Sequence, residues 1–541
     1  MKMFLSFQNI LSILGIIQMS EDESLQDTEK VRLLFFTSPT CFACPDVERV
    51  LENIAGTSMK GMLHVSTIDI TEEQEIAAQY GIMSVPVVML NEERIAEGMI
   101  TEDVIREKLW SSILPNMILS DKDTRRKESM MILTKNTISS IISQELVREN
   151  LGDYVHISTY QQVMMSLLAL DPLIPQLLYQ SGRELGMYGA APYYLTVLNP
   201  KVGAVKPEER FQETLIALAL LYSRNNIVPL YQATHCDIAK LEGYTATLRI
   251  YELVNSAGAI NISEPLCHYT AGEIAGTVEA MIGFGARVIE TKCKGLGDAY
   301  CEFEIEVFQG KEPGKVAYRS MEIKEEDKKI KFLGDFPAEE YRRQLFYEFI
   351  HETTQHGYNS LKMTESLRPN DQDYVHISSL QQQIISLKFR DKFCGALLYS
   401  AGRELGVIGP AKNLIYDILA AEQAELPIDS LKQATEIIRQ YLTHPTNYLS
   451  RSHSFVTVQD GEDEDEMYIQ IHECAYASGA NLSETNLNET LCDFQSGYLA
   501  GRLALILKDP PIVTETKCHG TGHNYCEFRI EKGYSFEESD H

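Results

Sequence analysis

Two long stretches of this chain are copies of each other, and no other feature restricts its folding more. Asp153-Tyr154-Val155-His156-Ile157-Ser158 returns as Asp373-Tyr374-Val375-His376-Ile377-Ser378. Gly182-Arg183-Glu184-Leu185-Gly186 returns as Gly402-Arg403-Glu404-Leu405-Gly406. Near the end of each copy, Glu290 to Glu306 matches Glu515 to Glu531 at 12 of 17 positions. The offset grows from 220 to 225 residues, so a net insertion lies between, placed at Thr485 to Glu489. Units this long are domains and not solenoid repeats. Two like domains on one chain are expected to pair about a pseudo-twofold axis, as two protomers of a dimer would.

The duplication divides the chain into residues 115–323 and 324–541, with the charged stretch Lys324 to Lys331 at the junction. Phe211 to Tyr222 and Lys432 to Leu442 carry the apolar spacing of amphipathic helices. The copies end in β structure. Cys301, Phe303, Ile305 and Val307 alternate with Glu302, Glu304 and Glu306, which places Cys301 on a buried face. Each copy is therefore expected to be α+β. Ahead of them, residues 29–114 alternate strand and helix patterns: Val31 to Phe36, Cys44 to Ile54, Leu63 to Ile68, Glu72 to Tyr80, Val85 to Leu90, Arg94 to Met99 and Thr101 to Leu109. That alternation predicts an α/β unit. Residues 1–28 read as a helical or flexible segment. Phe4 to Met19 is too short and too spotted with polar residues for a membrane span.

The chain carries 48 basic and 77 acidic residues, a formal charge of −29. That balance argues against nucleic acid and anionic lipid as partners. Eleven cysteines are too few for a disulfide scaffold in 541 residues, so their spacing matters.

Cys41-Phe42-Ala43-Cys44 follows an apolar strand and opens a helix. A helix N-terminus stabilises a thiolate on Cys41, and Cys44, one turn inside, is placed to resolve a mixed disulfide. Pro86, in Ser84-Val85-Pro86-Val87, begins a later strand, where a cis proline would expose backbone to an extended substrate. In this context residues 31–109 resemble thioredoxin-like proteins. The resemblance implies a thioredoxin fold, Cys41 as attacking thiol, Cys44 as resolving thiol and Pro86 as the family's cis proline. Thr40 stands where thioredoxin itself usually has tryptophan, which is closer to glutaredoxin-like relatives.

The second constellation is duplicated. Cys267, Glu290, Cys293 and Cys301 are matched by Cys492, Glu515, Cys518 and Cys526 at identical separations. A glycine-rich turn between Cys293 and Cys301 can bring both sulfurs to one point. Cys267 begins a helix whose Ala271, Gly272, Ala275 and Gly276 allow close packing. Three thiolates and a carboxylate suit tetrahedral zinc, and four protein ligands make a closed, structural site. Two zinc ions per chain are expected. Reduced thiols, a Cys293–Cys301 disulfide or an iron–sulfur site are the alternatives. The pattern Glu-x2-Cys-x-Gly-x-Gly-x3-Cys in both copies resembles the 4-vinyl reductase domain. That resemblance implies zinc beside a pocket for a small hydrophobic or aromatic ligand.

Smaller features read as structural. His156 and His376 are expected in the core or as caps, and Arg183-Glu184 and Arg403-Glu404 as local ion pairs. His519 and His523 are expected in a solvated loop, and Cys236, Cys394 and Cys474 as buried small hydrophobes. The combined reading is a redox-linked small-molecule sensor or adaptor with a thiol/disulfide protein partner. The alternatives are a thiol–disulfide oxidoreductase that docks substrate on the duplicated domains, and an interaction scaffold. Thiolate-rich sites favour a cytoplasmic setting.

Overall fold

The computed structural model describes residues 31–119, 132, 134 and 146–533, apart from 57–58, 60–61, 91–92, 99–101, 191–205, 224–229, 231, 260–261, 322–337, 360–365, 392, 410–411, 446–450, 464, 481 and 483–488. The segment 1–28, the junction Lys324 to Lys331 and most of the insertion at Thr485 to Glu489 lie outside them. Among the described residues no helix is long and apolar enough to cross a membrane.

The first unit runs β1 (Val31–Thr37), α1 (Cys44–Gly56), β2 (Leu63–Asp69), α2 (Gln74–Gln79), β3 (Val87–Leu90), β4 (Glu93–Glu97) and α3 (Glu102–Leu119). Its sheet order is β2-β1-β3-β4, with β1 parallel to β2 and antiparallel to β3. Leu33 to Phe36 of the inner strand β1 are all apolar and buried because both faces of the sheet are covered there. Leu33 and Phe35 pack with Val47, Leu51 and Ile54 of α1 and with Ile105 and Leu109 of α3. Leu34 and Phe36 pack on the other face with Ile68, Ala77 and Ile82. Helix α3 runs on through Pro115 to Leu119 and reaches the first copy, where Ser111 Oγ lies 3.3 Å from Asp171 Oδ2.

The first copy follows as β5 (Tyr154–His156), α4 (Ile157–Leu170), α5 (Ile174–Glu184) with a π-helical continuation at Leu185–Ala190, α6 (Pro207–Leu221), β6 (His235–Glu242), β7 (Thr245–Tyr251), α7 (His268–Ile282), β8 (Gly285–Lys292) and β9 (Cys301–Phe308). Helix α8 (Ala338–Asn359) leads into the second copy: β10 (Tyr374–His376), α9 (Ile377–Arg390), α10 (Phe393–Ile408), α11 (Lys412–Ala421), α12 (Leu431–Thr443), β11 (Val456–Asp460), β12 (Glu466–Ile471), α13 (Asp493–Ala504), β13 (Ile512–Lys517) and β14 (Cys526–Glu531). Each copy holds one antiparallel four-stranded sheet, ordered β6-β7-β9-β8 and β11-β12-β14-β13. In each lobe two helices cross at glycines. A methyl on Gly276 of α7 would collide with the carbonyl oxygen of Arg183, and one on Gly501 of α13 with that of Arg403. The small residues therefore set how closely α5 approaches α7, and α10 approaches α13.

The lobes are joined about a local two-fold. Strands β5 and β10 pair antiparallel with Val155 opposite Val375. Ile157 N–H donates to the Asp373 carbonyl and Ile377 N–H to that of Asp153, both at 2.9 Å. Asn150 N–H donates across to Glu473 at 2.8 Å, and the Asn370 side chain donates back to Glu252 at 2.7 Å. Helix α8 packs on α4 of the first lobe, where Arg342 donates to the Leu168 carbonyl and to Glu264. His156 and His376 cap α4 and α9, each accepting from the backbone N–H two residues on at 3.2 Å.

The arginine–glutamate pairs are not local. Arg183 reaches Glu279, 96 residues away, and Glu184 binds Arg390 of the other lobe. Glu404 binds Arg343 on α8. Adjacent residues on a helix point about 100° apart, so Arg183 and Glu184 find their partners on different neighbouring elements.

Candidate redox site and metal centres

Cys41 and Cys44 are joined as a disulfide at the start of α1. Cys44 is buried beneath the helix and Cys41 is half-buried, with its N–H donating to the Ser38 carbonyl at 3.1 Å. Phe36 pairs with Val87, so the segment after β1 and the segment before β3 leave the same end of the sheet. Pro86 lies in that second segment, and the Val85–Pro86 bond is cis. Two apolar side chains stand in solvent at this end: Phe42, 85% exposed, and Met83, 96% exposed. A half-exposed sulfur of a disulfide, flanked by apolar surface, can be attacked by a thiolate from another protein.

The second constellation assembles in both lobes. In the first, Cys267 caps α7, Glu290 sits in β8, Cys293 follows that strand and Cys301 opens β9. One donor atom from each lies within 4.8 Å of all the others. Cys492, Glu515, Cys518 and Cys526 do the same in the second lobe. Cys267 and Cys301 Sγ stand 3.5 Å apart, as do Cys492 and Cys526 Sγ. Sulfurs about 2.3 Å from a tetrahedral ion would be about 3.8 Å apart, so the spacing suits a shared ion.

The carboxylates are held by the cage itself. Glu290 Oε2 accepts the Cys267 N–H at 2.9 Å, and Glu515 Oε2 accepts the Cys492 N–H at 2.8 Å. Their Oε1 atoms are buried with no hydrogen-bond partner. A buried, orphaned carboxylate oxygen among three thiols is costly unless a cation takes it up. Burial pushes Glu290, Glu515, Cys267 and Cys526 well above their ordinary pKa values. Within each quartet a single thiol is held down by its neighbours' hydrogen bonds, Cys301 in the first and Cys518 in the second. A divalent cation would reverse that balance and let all four donors ionise. Both quartets therefore fit a metal ion.

Comparison with known proteins agrees with this arrangement. The thioredoxin domain family matches residues 30–109, and the 4-vinyl reductase domain family matches residues 247–307 and 467–532. The chain belongs to the thioredoxin family and carries two 4-vinyl reductase domains. It is 35% identical over 80 residues to the thioredoxin of Methanocaldococcus jannaschii, covering 15% of this chain and 93% of that one. An uncharacterized protein of the same organism is 26% identical over 181 residues, covering 34% of this chain and 92% of its own length. A second one is 38% identical over 64 residues, 12% of this chain, and is spanned over only 40% of its own length.

The 4-vinyl reductase lobes also hold residues that spacing did not single out. Cys474, expected to be an inert hydrophobe, has its Sγ 3.8 Å from Cys492 Sγ, at the edge of the second quartet. Ser256 Oγ lies 3.2 Å from Cys301 Sγ in the first. Laying the copies over each other from Glu252 and Glu473 would have exposed the first difference, since Cys474 then falls on Leu253. Inside the first lobe, Tyr222 Oη donates to Glu273 at 2.8 Å, and burial raises the Glu273 carboxyl to about 7. In the second lobe Tyr498 takes that place. It meets Tyr441 Oη at 2.6 Å, and Arg502 donates to it at 3.1 Å. Cys236 and Cys394 are buried as expected. His523 is exposed, while His519 is half-buried in the short turn His519–Thr521.

Proposed function

We propose that this protein is a redox-linked sensor or adaptor. Its thioredoxin domain exchanges disulfides through Cys41 and Cys44 with a protein partner, and its twin 4-vinyl reductase domains, each stabilised by zinc, bind a small hydrophobic ligand. The observation that carries this reading is the contrast in access. Cys41 of the Cys41–Cys44 disulfide is half-buried, next to the exposed Phe42, whereas the three cysteines of each quartet are fully buried. The first arrangement suits exchange with a partner. The second, with four protein donors and no open position, suits a structural ion.

In the exchange a partner thiolate attacks Cys41, the Cys41–Cys44 bond breaks, and Cys44 leaves as the thiolate. A second partner thiol then releases Cys41, leaving the partner oxidised and the domain reduced. The reverse sequence reduces a partner disulfide. In the lobes, zinc would be held by Cys267, Glu290, Cys293 and Cys301, and by Cys492, Glu515, Cys518 and Cys526, where it neutralises thiolates and locks the β hairpin to the helix start.

A Cys44→Ser variant, incubated in cell extract, should retain a partner as a mixed disulfide on Cys41, and Cys41→Ser should lose insulin-reducing activity. Insulin reduction by Cys41→Ser at the wild-type rate would overturn the exchange assignment. Native mass spectrometry of gently purified protein should show two zinc ions and a co-purifying apolar molecule. Iron in place of zinc would overturn the metal assignment.

A further inference from the structure

The two metal centres differ by one sulfur. Cys474 is 1% exposed and its Sγ lies 3.8 Å from Cys492 Sγ, yet it stands outside the four-donor set. The equivalent residue in the first lobe is Leu253, also buried. An ion held by Cys492, Glu515, Cys518 and Cys526 therefore leaves an uncommitted thiol beside one of its own ligands. We propose that Cys474 and Cys492 form a disulfide under hydroperoxide, releasing the metal from the second lobe while the first lobe keeps its own. This rests on the reading that the quartets hold zinc.

The step balances with hydrogen peroxide as oxidant. The Cys492 thiolate attacks a peroxide oxygen, an S–O bond forms, the O–O bond breaks and hydroxide leaves. Cys474 then attacks that sulfur, the S–S bond forms, the S–O bond breaks, and its thiol proton leaves with the departing oxygen as water. One thiolate and one thiol lose two electrons, and the peroxide is reduced to one hydroxide, which takes a proton from solvent, and one water. The sulfurs must close from 3.8 Å to about 2.05 Å.

Burial does not separate the lobes, because Cys267 and Cys492 are both fully buried. Ligand count does. In the second lobe the resolving thiol is not bound to the ion, so one ligand is lost for each disulfide. In the first lobe the extra group near the cage is the Ser256 hydroxyl, 3.2 Å from Cys301 Sγ, which cannot form a disulfide. A disulfide among that quartet would use up two of four ligands at once. Cys492 and Cys526 lie nearer each other than Cys492 and Cys474 do, at 3.5 Å. Both are committed to the ion, whereas Cys474 is free to attack.

The test uses the full-length, untagged protein treated with hydrogen peroxide. Zinc release is followed with a chromogenic chelator, and cysteines are mapped by differential alkylation and mass spectrometry. One of two zinc ions should leave at least tenfold faster than the other, with a Cys474–Cys492 cross-link. Cys474→Leu, which installs the first lobe's residue, should make the two rates equal, and Cys474→Ser should do the same should the larger side chain not be accommodated. Equal release in the wild type, a cross-link from Cys492 to Cys518 or Cys526, or unchanged release in both variants would overturn the proposal. A preparation without zinc would overturn the metal reading alone. The alkylation map would still show whether the two thiols join.

Discussion

The two 4-vinyl reductase lobes keep the same cage in different surroundings. Cys267, Glu290, Cys293 and Cys301 superimpose in role on Cys492, Glu515, Cys518 and Cys526, down to the carboxylate that accepts the capping cysteine's N–H. Some of the residues around them are kept, as in the Lys292–Tyr300 and Lys517–Tyr525 contacts, and others differ. Leu253 and Ser256 in one lobe face Cys474 and Ala477 in the other, Glu273 gives way to Tyr498, and Glu279 to Ala504. A shared ion would need all four donors at once, whereas the neighbours around it can change one at a time. A duplicated site can thus hold its ligand set fixed while its reactivity and its interior polarity diverge.

The largest effect should come from breaking one cage. Cys293→Ala should lower the zinc content from two ions per chain to one, measured by elemental analysis, and unfold the first lobe at lower denaturant. Structural zinc contributes on the order of 10 kcal/mol in small domains. If the variant instead lost both ions, the lobes would be one coupled unit and not two separate centres. The next effect is at Glu279. Its buried carboxylate accepts Arg183 Nε at 2.7 Å, Ala286 N–H at 2.7 Å and Gly314 N–H at 3.2 Å. Glu279→Ala copies the second lobe at that position but strands the Arg183 charge, at a cost of about 3–5 kcal/mol. Urea unfolding of the full chain should show it, and a cost under about 1 kcal/mol would mean that the first lobe tolerates its twin's residue.

How much of this was legible in the sequence follows the same division. The cage donors cluster on one hairpin and one helix start, and duplication repeats their spacing, so Cys267 to Cys301 could be read without coordinates. The thioredoxin unit was legible for a similar reason: β1 carries the apolar run Leu33 to Phe36, and Cys41 and Cys44 follow it closely. The Arg183–Glu279 pair was not legible. It joins residues 96 apart, brought together by the glycine crossing of α5 and α7, and no local period encodes that contact. Cys474 is buried as expected, but its nearness to Cys492 was not legible, because it lies eighteen residues before Cys492 on a turn, outside any ligand spacing. The exchange of Asn150 and Asn370 between lobes depends on β5 and β10, which are three residues each, too short to announce their pairing.

Glu273 offers a pH test of the divergent interiors. Burial raises its pKa from 4.5 to about 7. Between those values the unfolded chain has released the proton and the folded lobe still holds it. Stability is therefore full below about pH 4.5 and falls as pH rises to about 7, by about 3 kcal/mol at about 1.4 kcal/mol per unit. Glu273→Gln keeps an acceptor for Tyr222 and has nothing to ionise. Its advantage over wild type should grow from near zero at pH 4.5 to about 3 kcal/mol at pH 8, while Tyr498→Phe in the other lobe should show no such slope. An advantage that stayed flat across this range would place the carboxyl in a wetter site than the first lobe shows.

The smallest effect concerns the hydroxyl that one cage has and the other lacks. With Cys301 bound to a cation as thiolate, Ser256 Oγ at 3.2 Å is the donor, and it withdraws charge from the sulfur while fixing its direction. Outer-sphere partners of this kind commonly change metal affinity by about tenfold or more. Ser256→Ala should therefore weaken zinc binding in the first lobe by about tenfold, or about 1.4 kcal/mol, and leave the second lobe's affinity alone. Competition against a chelator of known strength, in a background where Cys518→Ala silences the second cage, reads the first site by itself. Ala477→Ser in the reciprocal background should recover only part of that gain, because Cys474 already crowds the second quartet with a sulfur 3.8 Å from Cys492. Were both substitutions silent, the hydroxyl would be idle, and the chemical difference between the two centres would come down to Cys474 alone.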